Sequence, residues 1–305
     1  MSGATAMHNT YVISVTPFTQ EGELDEDDLR RHFRRLAATG IGVYVGGGGS
    51  GEGHTLDEGE NRRILQIAAE ELKGRVSVRA MGTEPRSARQ MIHFARLVED
   101  ARLDAIQVYS LDMGHGNRPT DAELERYFDD VLSAIHIPAV ISTHFAVGYL
   151  IPLPILTRLV ARHQNVIGIN CSSDPIYMLQ VIDLLGSRVE IHSGANGLGL
   201  FAIAAGATGY LSTEGNLAPR LCTSVVEHQN SGDLAMRDDA YVKVVKLYRI
   251  TYKYGSARGT KAALRILGLP GGFPRPPRLP VPEDGLLDIT NAIDELDLRQ
   301  LEGIA

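Results

Sequence analysis

Residues 139–212 read AVISTHFAVGYLIPLPILTRLVARHQNVIGINCSSDPIYMLQVIDLLGSRVEIHSGANGLGLFAIAAGATGYLS. Four short apolar runs stand in this stretch, Ala139–Thr143, Val166–Asn170, Val189–Ser193 and Gly209–Ser212, with helical patterns between them. Runs of this length read as buried strands. Asp174–Pro175 opens one intervening helix, with an N-cap side chain followed by a proline whose missing N–H costs nothing at the first helical position. Upstream the alternation continues. Tyr11–Val15, Gly42–Gly46, Val76–Met81 and Ala105–Ser110 are four more candidate strands. Leu29, Phe33, Leu36 and Ala37 recur at the 3.6-residue period between the first two. Thr55 with Glu58, Ser87 with Gln90 and Thr120 with Glu123 fit the reciprocal capping box of a helix start. Eight strand–helix units about 28 residues apart are what a closed parallel (β/α)8 barrel, the TIM barrel, requires. A doubly wound open sheet shows the same alternation with fewer strands, so the count favours the barrel.

After the eighth strand about 90 residues remain, too many for one closing helix. They hold helical stretches at Met236–Tyr254 and Gly259–Leu267, a Pro/Gly-rich segment at Leu269–Pro282, and a final helical pattern near Ile289–Leu301. The expected organisation is a barrel over 1–232 and a helical appendage over 233–305, with 269–282 an ordered connector. The charge sum of 30 basic and 37 acidic residues, −7, argues against nucleic acid as a partner. Met1–Thr10 has neither the basic nor the apolar region of a signal peptide, and Leu198–Leu211 is too short and glycine-interrupted to cross a membrane. With two cysteines, Cys171 and Cys222, a disulfide framework is not expected. The pattern is that of a cytoplasmic protein.

Alternation along the strands selects candidate site residues. Ile167, Ile169 and Cys171 share one face of the sixth strand, leaving Gly168, Asn170 and Ser172 on the other. His192 and Gly194 oppose Val189 and Ile191 on the seventh, and Ser142 and His144 share a face on the fifth. The apolar side faces the helices, so Ser142, His144, Asn170, Ser172 and His192 converge on the inward face near the C-terminal strand ends, where barrel sites lie. Gly46–Gly51 follows the second strand and formally matches GxGxxG. A dinucleotide site needs an immediate helix and an acidic residue ending the next strand. Here the helix begins near Thr55–Leu56 and the next strand ends in Ala80–Met81. A glycine-rich turn of this kind instead exposes backbone N–H groups that suit a carboxylate or phosphate.

These residues resemble the dihydrodipicolinate synthase / N-acetylneuraminate lyase family of class I aldolases. Gly48-Gly49-Ser50-Gly51-Glu52 is similar to its GTTGE carboxylate-binding turn, and Thr16-Pro17-Phe18 to its VTPF opening. Val166-Ile167-Gly168-Ile169 resembles the strand leading to the catalytic lysine. Ser193-Gly194, Asn216-Leu217-Ala218-Pro219 and Leu269-Pro270-Gly271-Gly272 also have counterparts, so the resemblance spans nearly the whole chain. It implies a barrel with a C-terminal helical domain and a homo-oligomer, tetramer or dimer. The departures are equally specific. The family's Schiff-base lysine falls on Asn170, its catalytic tyrosine on Ser142 and the arginine of the same stretch on Val147. The first hydroxyl of the turn falls on Gly49, leaving Ser50 as the second, and a longer loop, Asp112–Arg118, replaces the paired tyrosines. A carboxamide cannot form a Schiff base. Lysines occur only at 73, 243, 246, 253 and 261, so no candidate strand carries one.

The expected function is therefore a lyase, hydratase or hydrolase acting on a small oxo acid or related carboxylate without a Schiff base and without a cofactor. Gly49, Ser50 and Gly51, with Ser172 and Gly194, hold the substrate. Asn170 donates a hydrogen bond to a carbonyl or enolate oxygen, and His144 or His192, with Ser142 nearby, handles the proton. Two alternatives stand beside it. One is a metal-dependent lyase using His115, His144, His192, Cys171 or Glu214 as ligands, although no ligand-spacing motif supports it. The other is a non-catalytic carboxylate-binding relative.

Overall fold

The computed structural model describes residues 7–304, so the first six residues of the Met1–Thr10 stretch lie outside it. Eight parallel strands follow one another in chain order round a closed barrel. They are β1 (Asn9–Ile13), β2 (Gly42–Val45), β3 (Val78–Ala80), β4 (Ala105–Val108), β5 (Ala139–His144), β6 (Val166–Ser172), β7 (Glu190–Ser193) and β8 (Gly209–Ser212). The helices of the barrel are α1 (Glu26–Ala37), α2 (Glu58–Leu72), α3 (Ala88–Asp100), α4 (Asp121–Ala134), α5 (Leu153–Arg162), α6 (Pro175–Leu185), α7 (Gly199–Ala204) and α8 (Pro219–Ser231). Four more follow: α9 (Leu234–Lys253), α10 (Ser256–Ile266), α11 (Glu283–Glu295) and α12 (Leu298–Glu302). All eight expected strands are present, and the fold is a (β/α)8 TIM barrel with C-terminal helices. None of the described helices is long and apolar enough to cross a membrane.

Tight packing is divided between two compact units, one of residues 7–8 and 79–211, the other of residues 9–78 and 212–304. In the first unit the outward residues Ile106, Val108, Ile141, Ile169 and Ile191 are buried with Met91, Phe128, Leu159 and Met178 of the helices. Each such side chain contributes about 1.5–3 kcal/mol by leaving water. Strands β5 and β6 slip by one residue: Ala139 pairs with Val166, but Val140 pairs with Gly168. Ile167 is the extra residue of this bulge, which explains why it stays partly exposed while Ile169 is buried. Beyond the bulge the expected alternation holds.

Helix starts depart from the expected caps in two places. The reciprocal box of α2 is formed by Asp57 and Glu60, not by Thr55 and Glu58. Thr55 is used earlier, in a short turn where its hydroxyl donates to the Glu52 carbonyl at 2.8 Å. Ser87 does cap α3, but the Gln90 side chain accepts from the Arg86 amide and so closes only half a box. Thr120 and Asp174 cap α4 and α6 as expected.

In the second unit α8 packs on α9, and α10 and α11 pack on α9 in turn. The 269–282 segment is ordered by specific bonds. Phe273 N donates to Phe18 O, Gly271 and Gly272 donate to the Asp28 carboxylate, and Arg275 is paired with Glu60. The final helical pattern is split in two, because Asp297 takes a left-handed backbone (φ 49°) that ends one helix before the next begins.

Candidate functional site

Register brings the sequence-selected polar residues of the first unit together. Ser142 pairs with Asn170, and Asn170 pairs with His192. Residues in register on neighbouring parallel strands present side chains to the same face, about 4.8 Å apart. Asn170 Nδ2 donates to Gln107 Oε1 at 2.5 Å, whereas Asn170 Oδ1, fully sequestered, bonds to none of the described residues. The Ser142 and Ser172 hydroxyls likewise bond to no described residue, although the Ser142 carbonyl accepts from Ser110 Oγ. Buried polar groups are normally satisfied.

Gly194 keeps one of these groups in place. A Cβ at this position would stand 2.2 Å from Ser172 Oγ. Gly194→Ala is therefore expected to turn the Ser172 hydroxyl, the free end of a partly exposed side chain, to another rotamer at a cost below about 1 kcal/mol, read from urea unfolding midpoints.

Three polar residues escaped the sequence reading: Arg79 on β3, Gln107 on β4 and Glu190 on β7. Arg79 is buried and paired with Glu190 Oε2 at 2.9 Å. The alternation test that exposed Asn170 would have marked Arg79 and Gln107 too, since each interrupts an apolar run.

The two candidate histidines differ. His192 is completely buried, and burial together with the Arg79 charge pushes its pKa down to about 3, so it is a neutral imidazole at physiological pH. His144 packs edge-on against Tyr109, with ring centres 5.3 Å apart. Its Nδ1 accepts from the Ala146 amide at 3.3 Å, which leaves the proton on Nε2; this nitrogen is buried 3.5 Å from Glu84 Oε1 and makes no hydrogen bond with a described residue. Burial lowers the His144 pKa and the Glu84 charge partly offsets this.

The glycine-rich turn lies in the second unit. Of its glycines only Gly46 needs a left-handed backbone (φ 74°). Gly51 is required for space, because a Cβ there would meet Gly47 O at 2.9 Å. Gly49 has open space beyond it, so packing does not explain why the family's hydroxyl is missing. The backbone amides of Gly48, Gly49, Ser50 and Gly51 donate to none of the described residues. Successive free amides form an anion-binding nest. Ser50 Oγ is 2.8 Å from Thr213 Oγ1, a partner the sequence reading did not foresee. Gly48 and Gly49 also border a cavity of about 410 Å³ whose walls include Arg258 and Arg278.

Below the turn, Glu52 and Lys261 form an ion pair from which water is excluded on both sides. Lys261 Nζ also donates to Phe273 O at 2.9 Å and sits 4.5 Å over the Phe18 ring, and Glu52 accepts from the Arg275 amide. Burial pushes the Lys261 pKa down to about 8 against the pull of Glu52. Lys243, Lys246 and Lys253 are engaged with Asp239, Glu295 and Asp288. No barrel strand contains a lysine.

Among the described residues, no three His, Cys, Asp or Glu side chains are grouped as metal ligands. Cys171 Sγ lies against Ser173 Oγ, and burial raises its thiol pKa to about 12.

The fold is that of a TIM-barrel protein, and Ser142, Asn170 and His192 stand in register on three neighbouring strands of it. Residues 6–296 match the dihydrodipicolinate synthetase family, and the chain belongs to that family. It is 27% identical to a 4-hydroxy-tetrahydrodipicolinate synthase of Methanococcus maripaludis over 294 residues, 96% of this chain and 99% of the relative. A 4-hydroxy-tetrahydrodipicolinate synthase of Acidiphilium cryptum is 29% identical over 278 residues, 90% of this chain and 94% of that one. Among solved structures, the 4-hydroxy-tetrahydrodipicolinate synthase of Methylacidiphilum fumariolicum SolV superposes with a TM-score of 0.88 at 24% identity, covering 98% of this chain and 99% of that one. The dihydrodipicolinate synthase of Thermotoga maritima gives 0.89 at 22%, covering 96% and 99%.

Proposed function

We propose that this protein is a lyase-type member of its family that acts on a small oxo acid or related carboxylate without forming a Schiff base, Asn170 taking the place of the lysine. The observation that carries the reading is Asn170 itself: an amide stands on the inward face of β6, held by Gln107, where the family's lysine would form its Schiff base. An amide can hydrogen-bond an oxygen but cannot condense with a ketone. The free amides of Gly48–Gly51, beside Arg258 and Arg278, match the chemistry of a carboxylate. Of the two histidines, His144 is the proton-moving candidate, since a ring with a pKa pushed down to about 3, as in His192, is too weak a base near neutral pH. We extend the reading to a cytoplasmic homo-oligomer, tetramer or dimer, measured by light scattering.

The test combines calorimetric titration with pyruvate and related acids and borohydride reduction of the mixture. Binding is expected, with no covalent adduct on any lysine by mass spectrometry. Asn170→Ala should weaken binding roughly tenfold, the worth of one buried hydrogen bond. A trapped lysine adduct sinks the proposal. The runner-up, a non-catalytic carboxylate binder, is favoured by one observation: His144 Nδ1, the nitrogen that would take up a proton, already accepts from the Ala146 amide. A binder shows ligand affinity with no turnover, and His144→Ala then changes nothing but stability.

A further inference from the structure

The cavity of about 410 Å³ beside the glycine-rich turn lies wholly within the second unit, and Gly49 and Arg278 on its wall are exposed. No acidic side chain lines it. Gly48 and Gly49 bring their unengaged amides. The start of α10 brings three more, those of Ser256, Ala257 and Arg258, which donate to no described residue, and Gly255 at the N-cap has no side chain to cover them. Two arginines add charge to these donors. Arg258 Nε donates to Tyr254 O at 2.6 Å, which holds the guanidinium by one edge and leaves its two terminal nitrogens without a described partner. Arg278 lies 3.5 Å from Glu52 Oε1 and 3.3 Å from His54 Nε2, but Lys261 already neutralises Glu52. Asp288, the acid bonded to the Tyr254 hydroxyl, is likewise paired with Lys253. Two guanidinium charges thus border one cavity without acids of their own, in a chain whose net charge is −7.

A single carboxylate on the neutral amides of the turn would leave that charge unanswered. The guanidinium fork matches a second carboxylate in plane and in hydrogen-bond spacing. A phosphate in the same place brings close to two charges. Added to the first carboxylate, it would exceed the two positive charges at hand, so charge balance favours two carboxylates. Small-molecule sites also enclose most of their ligand, and a three-carbon monoacid leaves much of this cavity to water. We infer that the substrate carries a second carboxylate at the end remote from the first, and that Arg258 and Arg278 bind it. This rests on the small-carboxylate reading above and narrows it to short dicarboxylates.

The experiment is calorimetric titration of the full-length protein with 2-oxoglutarate, 2-oxopentanoate and pyruvate. The first two share a five-carbon skeleton and differ only in a terminal carboxylate against a methyl group. 2-Oxoglutarate is expected to bind at least about tenfold more tightly than 2-oxopentanoate. In the double variant Arg258→Met, Arg278→Met that ratio should fall towards one while 2-oxopentanoate keeps its affinity. The ratio is the diagnostic readout, since a merely structural loss weakens both acids alike, and the wild-type ratio tests the idea even if the variant folds poorly. Equal binding of the two five-carbon acids overturns the second carboxylate and leaves the monocarboxylate reading standing. A ratio unchanged in the folded variant overturns the role given to the arginines. Tighter binding of 3-phosphonopyruvate than of 2-oxoglutarate overturns the choice of a carboxylate for the second group. Binding of pyruvate alone sinks this inference and spares the functional reading; binding of none of the acids sinks both.

Discussion

Replacing Lys261 by methionine is expected to lower the stability of the protein by about 3–5 kcal/mol, the usual penalty for stranding one member of a buried ion pair. Glu52 has no exposed surface, and with Lys261 gone its nearest remaining cation is Arg278, 3.5 Å away and partly exposed. The Arg275 amide at 3.2 Å is its other support. The pair also ties the segment after β2 to α10 and, through Phe273 O, to the 269–282 connector. Much of the loss is the desolvation of an unpaired carboxylate, so neutralising it should restore part of the stability. Glu52→Gln combined with Lys261→Met is therefore expected to be less damaging than the sum of the single changes, a coupling that a double-mutant cycle in urea measures directly. A single-variant loss below about 1 kcal/mol would show that water reaches Glu52 in solution and that the pair is not sealed.

Acidification from pH 6.5 to 5 is expected to remove about 2 kcal/mol for each of two histidines, His32 and His192, at up to about 1.4 kcal/mol per pH unit each. Both are fully buried, with pKa values pushed down to about 3. For His32 burial is the larger cause and the Arg35 charge the second, against the hydrogen bond it makes to Asn216. For His192 burial is again first and Arg79 second. Above pH 6.5 both histidines are neutral in the folded and the unfolded chain, and the full stability is present. Below 6.5 the unfolded chain takes up protons that the folded chain refuses, so stability falls until the pH approaches the folded-state value near 3. The paired carboxylates Glu26, Glu71 and Glu125 have lowered pKa values and titrate below this window, whereas His144, whose pKa burial also lowers, adds to the loss and Glu302, whose pKa burial raises, opposes it. Unfolding free energies at pH 7.5, 6 and 5 measure the slope, and His192→Gln should remove the His192 share, about 2 kcal/mol between pH 6.5 and 5. Stability that is flat across this range would mean that the two rings are charged or hydrated in the folded protein.

The fit of prediction to structure is uneven for reasons that lie in particular residues. Each of the eight barrel strands is visible as an apolar run, because both of its faces are buried and hydrophobicity marks the whole segment. The inward direction of Ser142, Asn170 and His192 follows from strict two-residue alternation and needs no coordinates. Ile167 shows the limit of that rule. A one-residue bulge is a property of how two strands pair, and neither β5 nor β6 announces it alone. Thr55 and Asp57 show another limit, since both head plausible capping boxes two residues apart. The choice between them was made by the turn that absorbs Thr55.

Local patterns in the sequence alone therefore determine the barrel, the helical C-terminal region, the glycine-rich turn and the absence of any lysine from the barrel strands. These are decided by periodicity, turn chemistry and residue identity, all of which act over a few neighbouring positions. Only the tertiary structure decides which polar groups are already taken. Gln107 lies 63 residues from Asn170, Thr213 lies 163 from Ser50, and Lys261 lies 209 from Glu52. Hydrogen bonds and ion pairs are short-range forces between groups that the chain path brings together, so their partners carry no mark in the local sequence. The unbonded end of Asn170, the engaged hydroxyl of Ser50 and the neutral ring of His192 are for that reason properties of the folded protein.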